Sequence, residues 1–70
     1  MGLHRKSLVT GTIFRHYKNR KLYLFLMVAE NPNTGEMVAV YREAPGGRIA
    51  STPCHWRPVD EFCEKFEKRL

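Results

Sequence analysis

Between Lys21 and Glu30 nearly every position is apolar, with Leu22, Leu24, Leu26 and Val28 alternating against Tyr23, Phe25, Met27 and Ala29. A period of two sends those two sets to opposite faces, and apolar residues on both predict a strand buried on both sides. A helix is the competing reading, but the aromatic content and the break at Asn31-Pro32 decide for a strand. Asn31-Pro32-Asn33-Thr34-Gly35 is dense in turn formers and ends on glycine, as a five-residue hairpin loop does. Glu36 to Arg42 then returns as the partner strand, with Val38 and Val40 on one face and Met37, Ala39 and Tyr41 on the other.

The flanking segments are shorter. Residues 1–8 are polar and basic without periodicity, which predicts a flexible arm ahead of a single domain over residues 9–70. Val9 to Phe14 reads as a first short strand with a bend at Gly11, and Arg15 to Arg20 as the polar link to the next. Ala44 to Pro53 is a loop by composition with one short strand around Arg48 to Ser51, and Cys54 to Arg57 adds an edge strand. Pro58 suits the first turn of a helix. Val59, Phe62, Cys63, Phe66 and Leu70 recur at helical spacing, so a helix is predicted over about residues 59–69. Asp60 and Glu61 stand at its positive end, Lys68 and Arg69 at its negative end. The sum is a mainly β domain, α+β by its helix. Four or five antiparallel strands are expected to curl into an SH3-like roll or partial barrel, lidded by the C-terminal helix.

Composition narrows the picture. Seventy residues make one domain with a thin core, which also raises the expectation of a homodimer. The net charge of +5 is uneven: no acidic residue precedes Glu30, while Arg5, Lys6, Arg15, Lys18, Arg20 and Lys21 all do. Such a surface attracts polyanions, or simply keeps a solvated face. Two cysteines, Cys54 and Cys63, with no apolar leader suggest reduced thiols and a cytoplasmic location. The longest apolar run is too short to span a bilayer.

Three separated blocks carry a resemblance. They are Gly11-x-Ile13-Phe14-Arg15-His16-Tyr17-Lys18, then Thr34-Gly35-Glu36-Met37-Val38-x-Val40-Tyr41-Arg42, then Trp56-Arg57-Pro58-x-x-x-Phe62. Their order and spacing resemble the bacterial family called domain of unknown function 1653. The resemblance implies a small β fold of bacterial or phage origin and carries no activity with it. Family members place a hydrophobic residue between the Trp and the Arg-Pro; here Trp56 joins Arg57 directly, which shifts Trp56 by one register.

Candidate chemistry gathers at Arg15, His16, Tyr17 and Lys18, where strand alternation sends Arg15 and Tyr17 one way and His16 and Lys18 the other. If Tyr41 and Arg57 share a face with this cluster, a planar guanidinium fork and a hydroxyl make a pocket for carboxylate or phosphate. In so small a domain the same residues would also serve to brace a loop. The expected function is therefore a non-catalytic binding or interaction module. Its site comprises Arg15, His16, Lys18, Tyr41, Trp56 and Arg57, and its partner is a protein or a small anionic ligand. The alternative is a nucleic-acid-associated accessory protein using Arg5, Lys6, Lys18, Arg20 and Lys21, with Phe14, Tyr17 and Tyr23 as stacking rings. No metal or cofactor is expected, since Cys54, His55, Cys63 and the remaining histidines lack ligand spacing. Catalysis is not expected either: Cys54 and His55 are adjacent and point apart. Pro45-Gly46-Gly47-Arg48 lacks the strand–loop–helix setting of a phosphate loop.

Overall fold

The computed structural model describes residues 8–69. Five strands and one helix follow in the order β1 (Ile13–His16), β2 (Leu22–Glu30), β3 (Met37–Glu43), β4 (Cys54–Pro58), α1 (Val59–Lys65) and β5 (Phe66–Lys68). All pairings are antiparallel and the sheet order is β4-β3-β2-β1-β5. The sheet is open rather than a closed barrel, with β4 and β5 at its edges.

The β2–β3 hairpin forms where the alternating pattern predicts it. Asn31 closes the loop through its own N–H to Glu36 O at 2.8 Å and by accepting the Gly35 N–H at 2.7 Å. The Asn31 and Thr34 side chains accept the N–H groups two residues on, as Asx and Ser/Thr turns do. Within β2, however, the register slips between Phe25 and Met27, leaving Leu26 as a bulge. One extra residue exchanges the faces beyond it. Tyr23 and Phe25 point toward α1, whereas Met27 and Ala29, expected beside them, pair with Val40 and Val38 on the other face. The bulge has an anchor: Thr10 Oγ1 donates to Leu26 O, and Gly11, at φ +91°, donates its N–H to Phe25 O. Burial on both sides holds only for the first half of β2, since Met27 and Val28 are exposed.

Other boundaries differ from the pattern. The first strand is Ile13–His16 rather than Val9–Phe14, and Val9 to Thr12 form a turn closed by the Thr12 N–H on Val9 O. Leu8, expected in a free arm, packs against the core; residues 1–7 of that arm lie outside the described residues. No strand forms at Arg48–Ser51: Ala44 leads into a 3-10 turn at Pro45–Gly47, and Ile49 is largely exposed. The helix ends at Lys65, not near residue 69, because Phe66–Lys68 pairs with β1. Phe66 satisfies both readings, since it stays buried at the end of the apolar stripe while its backbone joins the sheet. Lys65, not Lys68 or Arg69, is the basic residue of the last turn.

The core lies between the sheet and α1. Phe14, Phe25, Ala39, Tyr41, Val59, Phe62, Cys63 and Phe66 form one cluster. Phe62 and Phe66 stack at 4.3 Å between centroids, and Phe14 meets Phe62 edge-on at 5.2 Å. No helix among the described residues is long and apolar enough to cross a membrane.

Candidate binding site

Three strands and the helix bring one polar cluster to the rim of this core. In β4, Arg57 pairs with Ala39, and His55 with Tyr41, so both β4 side chains lie on the α1 side of the sheet. Arg57 donates from Nε to the Tyr41 hydroxyl at 2.7 Å and from Nη1 to Glu61 Oε1 at 2.9 Å. Its guanidinium lies 5.8 Å from the centroid of Phe66. Pro58, φ −50° and ψ 140°, turns the chain directly from β4 into α1, and this places Glu61 one helical turn from Arg57. Burial works against the charge on Arg57. The Tyr41 hydrogen bond and the Glu61 carboxylate outweigh it and hold the guanidinium pKa above its ordinary value. Burial likewise pushes the Tyr41 hydroxyl above its usual range, with Arg57 pulling the other way.

His16 completes the cluster from β1. Its ring meets Phe66 edge-on at 4.8 Å, and Phe66 also touches Tyr41 and Tyr23. His16 Nδ1 accepts the N–H groups of Lys18 at 3.1 Å and Asn19 at 3.3 Å, so the ring proton resides on Nε2. Partial burial, then the charges of Arg57, Lys65 and Lys18, lower its pKa below the ordinary 6.5. The same turn carries Arg20 at φ +64° and closes with the Arg20 N–H on His16 O. An open cleft of about 660 Å³ runs beside the cluster, lined by Glu36, Tyr41, His55, Trp56, Arg57 and Glu61 among others.

The expected site residues therefore divide. His16, Tyr41 and Arg57 come together, and Lys18 stands on the turn whose backbone His16 holds. Arg15 does not join them: it pairs with Leu22 and Glu67 on the opposite face and lines a separate depression with Glu67, Lys68 and Arg69. Trp56 pairs with Val40, also on the opposite face, and is 59% exposed. Arg20 and Lys21 are exposed on the turn, while Arg5 and Lys6 lie outside the described residues. Glu61 and Phe66 were not singled out, although the Arg57-x-x-x-Glu61 spacing is that of a helical ion pair. Among the described residues no three His, Cys, Asp or Glu side chains gather where they would hold a metal ion.

Fold and site together define a small open-sheet domain with an arginine held at the mouth of a polar cleft. The three blocks noted in the sequence each deliver one member of the cluster: His16, Tyr41 and Arg57. The chain belongs to the family described as Protein of unknown function (DUF1653), whose family model matches residues 12–69. No curated protein and no solved structure gives a significant match.

Proposed function

We propose that this domain is a non-catalytic binding module that receives an anionic group, a phosphate or a carboxylate of a small molecule or peptide, against Arg57. The observation that carries this reading is the placement of the guanidinium. Nε is engaged by Tyr41 and Nη1 by Glu61, while Nη2 has no hydrogen-bond partner among the described residues, in a side chain that lines the cleft. A guanidinium fixed on one edge offers the other to an oxyanion with little ordering cost. Lys18, Lys65 and Arg57 all act on His16, against which the cluster sets the Glu61 carboxylate, so the local field favours a negative guest. Neither Cys54 nor Cys63 is joined in a disulfide, in keeping with a cytoplasmic setting.

The test is a titration of inorganic phosphate, then of a short acidic peptide, into isotope-labelled protein followed by NMR. Shifts confined to His16, Tyr41, Arg57 and Glu61 are expected, with Arg57→Lys weakening the interaction by roughly tenfold through the lost hydrogen-bond geometry. Unmoved resonances at high phosphate and peptide concentration would sink the reading.

A second reading rests on the β1–β2 turn, where Lys18, Arg20 and Lys21 flank an exposed Tyr17. Cations around an open ring suit a single-stranded nucleic acid. Anisotropy with a labelled oligonucleotide at low salt separates the two. Loss of binding on neutralising these three cations, with phosphate binding at Arg57 intact, favours the nucleic-acid reading.

A further inference from the structure

β4 is an edge strand, and the direction of its backbone groups follows from its neighbours. The Ala44 N–H donates to Leu22 O and the Asn31 N–H to Glu36 O, so even-numbered residues of β3 turn their backbone groups to β2. Odd-numbered Ala39 and Tyr41 turn theirs to β4, where they meet Arg57 and His55. Cys54 and Trp56 therefore direct N–H and C=O away from the sheet. None of these four groups has a hydrogen-bond partner among the described residues.

The 660 Å³ cleft follows this edge. Every residue of Cys54–Pro58 lines it in succession, although their side chains alternate between the two faces. A concavity touches both sets only where it runs along the backbone. On the α1 side it meets Arg57, whose Nη2 is open. On the other side Trp56 also borders an apolar hollow of about 330 Å³, with Pro32, Val38 and Val40. Glu36 lines the cleft beyond its Pro58 end, since Val38 is the residue paired with Pro58.

We propose that β4 takes up an extended peptide by antiparallel strand addition, in the order basic, acidic, apolar, any residue, apolar from the peptide N-terminus. Main-chain pairing supplies the partners that Cys54 and Trp56 lack, and the period of two supplies the pattern. Peptide residues opposite Trp56 and Cys54 fall on the side of the hollow and are apolar. The residue opposite Arg57 falls on the α1 side, where a carboxylate meets Nη2. The residue opposite Pro58 is cationic and reaches Glu36. A second copy of this chain does not fit the pattern. With the outward residues of two β4 strands paired, Arg57 meets Pro53, His55 or the other Arg57, and none of them is acidic. The acidic position rests on the anion seat proposed at Arg57; the strand addition itself does not.

The probe is the end-capped peptide Lys-Glu-Val-Thr-Val, titrated into the full chain and followed by emission of Trp56, the sole tryptophan. At saturation the amide protons of Cys54 and Trp56 are expected to gain protection from hydrogen exchange, while those of His55 and Arg57 are protected throughout. N-methylation of the first Val, whose amide faces Trp56, should weaken binding by about tenfold. N-methylation of the Thr, whose amide faces away from β4, should leave it unchanged. Exchanging the Lys and the Glu should also weaken binding by about tenfold. Absence of binding overturns the proposal. So does binding indifferent to the methylated position or to the exchanged charges, even with phosphate still held at Arg57. Protection of Cys54 and Trp56 that grows with protein concentration alone also overturns it, because the edge then belongs to a second copy. Should phosphate leave Arg57 unmoved while the methylation pattern appears as expected, the anion seat falls and the strand addition stands.

Discussion

Arg57 donates its Nε–H to the hydroxyl of Tyr41 across two neighbouring strands, at 2.7 Å. Tyr41 is nearly buried, and its ring also contacts Tyr23, Phe62 and Phe66, so this hydrogen bond ties the polar rim to the aromatic core. Tyr41→Phe keeps every ring contact and removes only the acceptor. A hydrogen bond to a charged donor contributes about 1.5–3 kcal/mol when well shielded. Arg57 is part-exposed and can turn to water, so a loss of roughly 1–2 kcal/mol is expected from urea unfolding. The same variant frees the guanidinium, and phosphate binding measured by NMR should weaken along with stability. An unchanged unfolding midpoint would show that the bond contributes nothing.

Arg15 and Arg57 occupy opposite faces of the sheet, which gives them separable consequences. Arg15→Ala should leave phosphate binding as it is. Its stability cost should stay near 0.5 kcal/mol, because a half-exposed cross-strand charge opposite Glu67 contributes little. Arg57→Ala should abolish phosphate binding while the protein still folds. Equal loss of binding in both variants would mean that the anion is held by diffuse charge and not by the cleft.

The hairpin, the edge strand at Cys54 and the existence of the C-terminal helix were legible because each is dictated locally, by alternation, by turn formers or by a helical stripe. The bulge at Leu26 was not. It depends on Thr10 and Gly11 docking onto β2 from sixteen and fourteen residues away, and no periodicity announces such a contact. The helix end was misplaced for a related reason: Phe66 fits a helical stripe equally well, and only the free edge of β1 draws Phe66–Lys68 into the sheet. At the site, Tyr41 and Arg57 were found because their chemistry is complementary. Arg15 was wrongly grouped with them because adjacency in sequence to His16 means opposition in a strand.

Phe62 is fully buried and touches the rings of Phe14, Phe25, Tyr41 and Phe66. Truncating a buried phenylalanine to alanine costs about 3–5 kcal/mol, a large share of the total stability of a domain this small. Phe62→Ala should therefore leave a substantial unfolded population at room temperature, visible in circular dichroism. Phe62→Leu should fold with a midpoint lowered by the equivalent of roughly 1–2 kcal/mol. A fully folded alanine variant would mean that α1 is not what closes the core.

His16 sets a pH dependence whose sign follows from its contacts. In the unfolded chain it takes up a proton near 6.5, while burial and the neighbouring Arg57, Lys65 and Lys18 lower that value in the folded protein. Between the two values the unfolded state binds more protons, so falling pH favours unfolding. The stabilisation is complete above 6.5 and is lost as pH drops through the lowered folded value. Protonation of Nδ1 would also remove the acceptor that Lys18 and Asn19 use, loosening the turn. His16→Asn supplies a side-chain oxygen for those two N–H groups and takes away the titration. The variant should be less stable overall, having lost the edge contact with Phe66, yet its stability should fall less than the wild type's between about pH 7.5 and about pH 5. Urea unfolding of both proteins at those two values decides it, and parallel losses would place the acid sensitivity on another group.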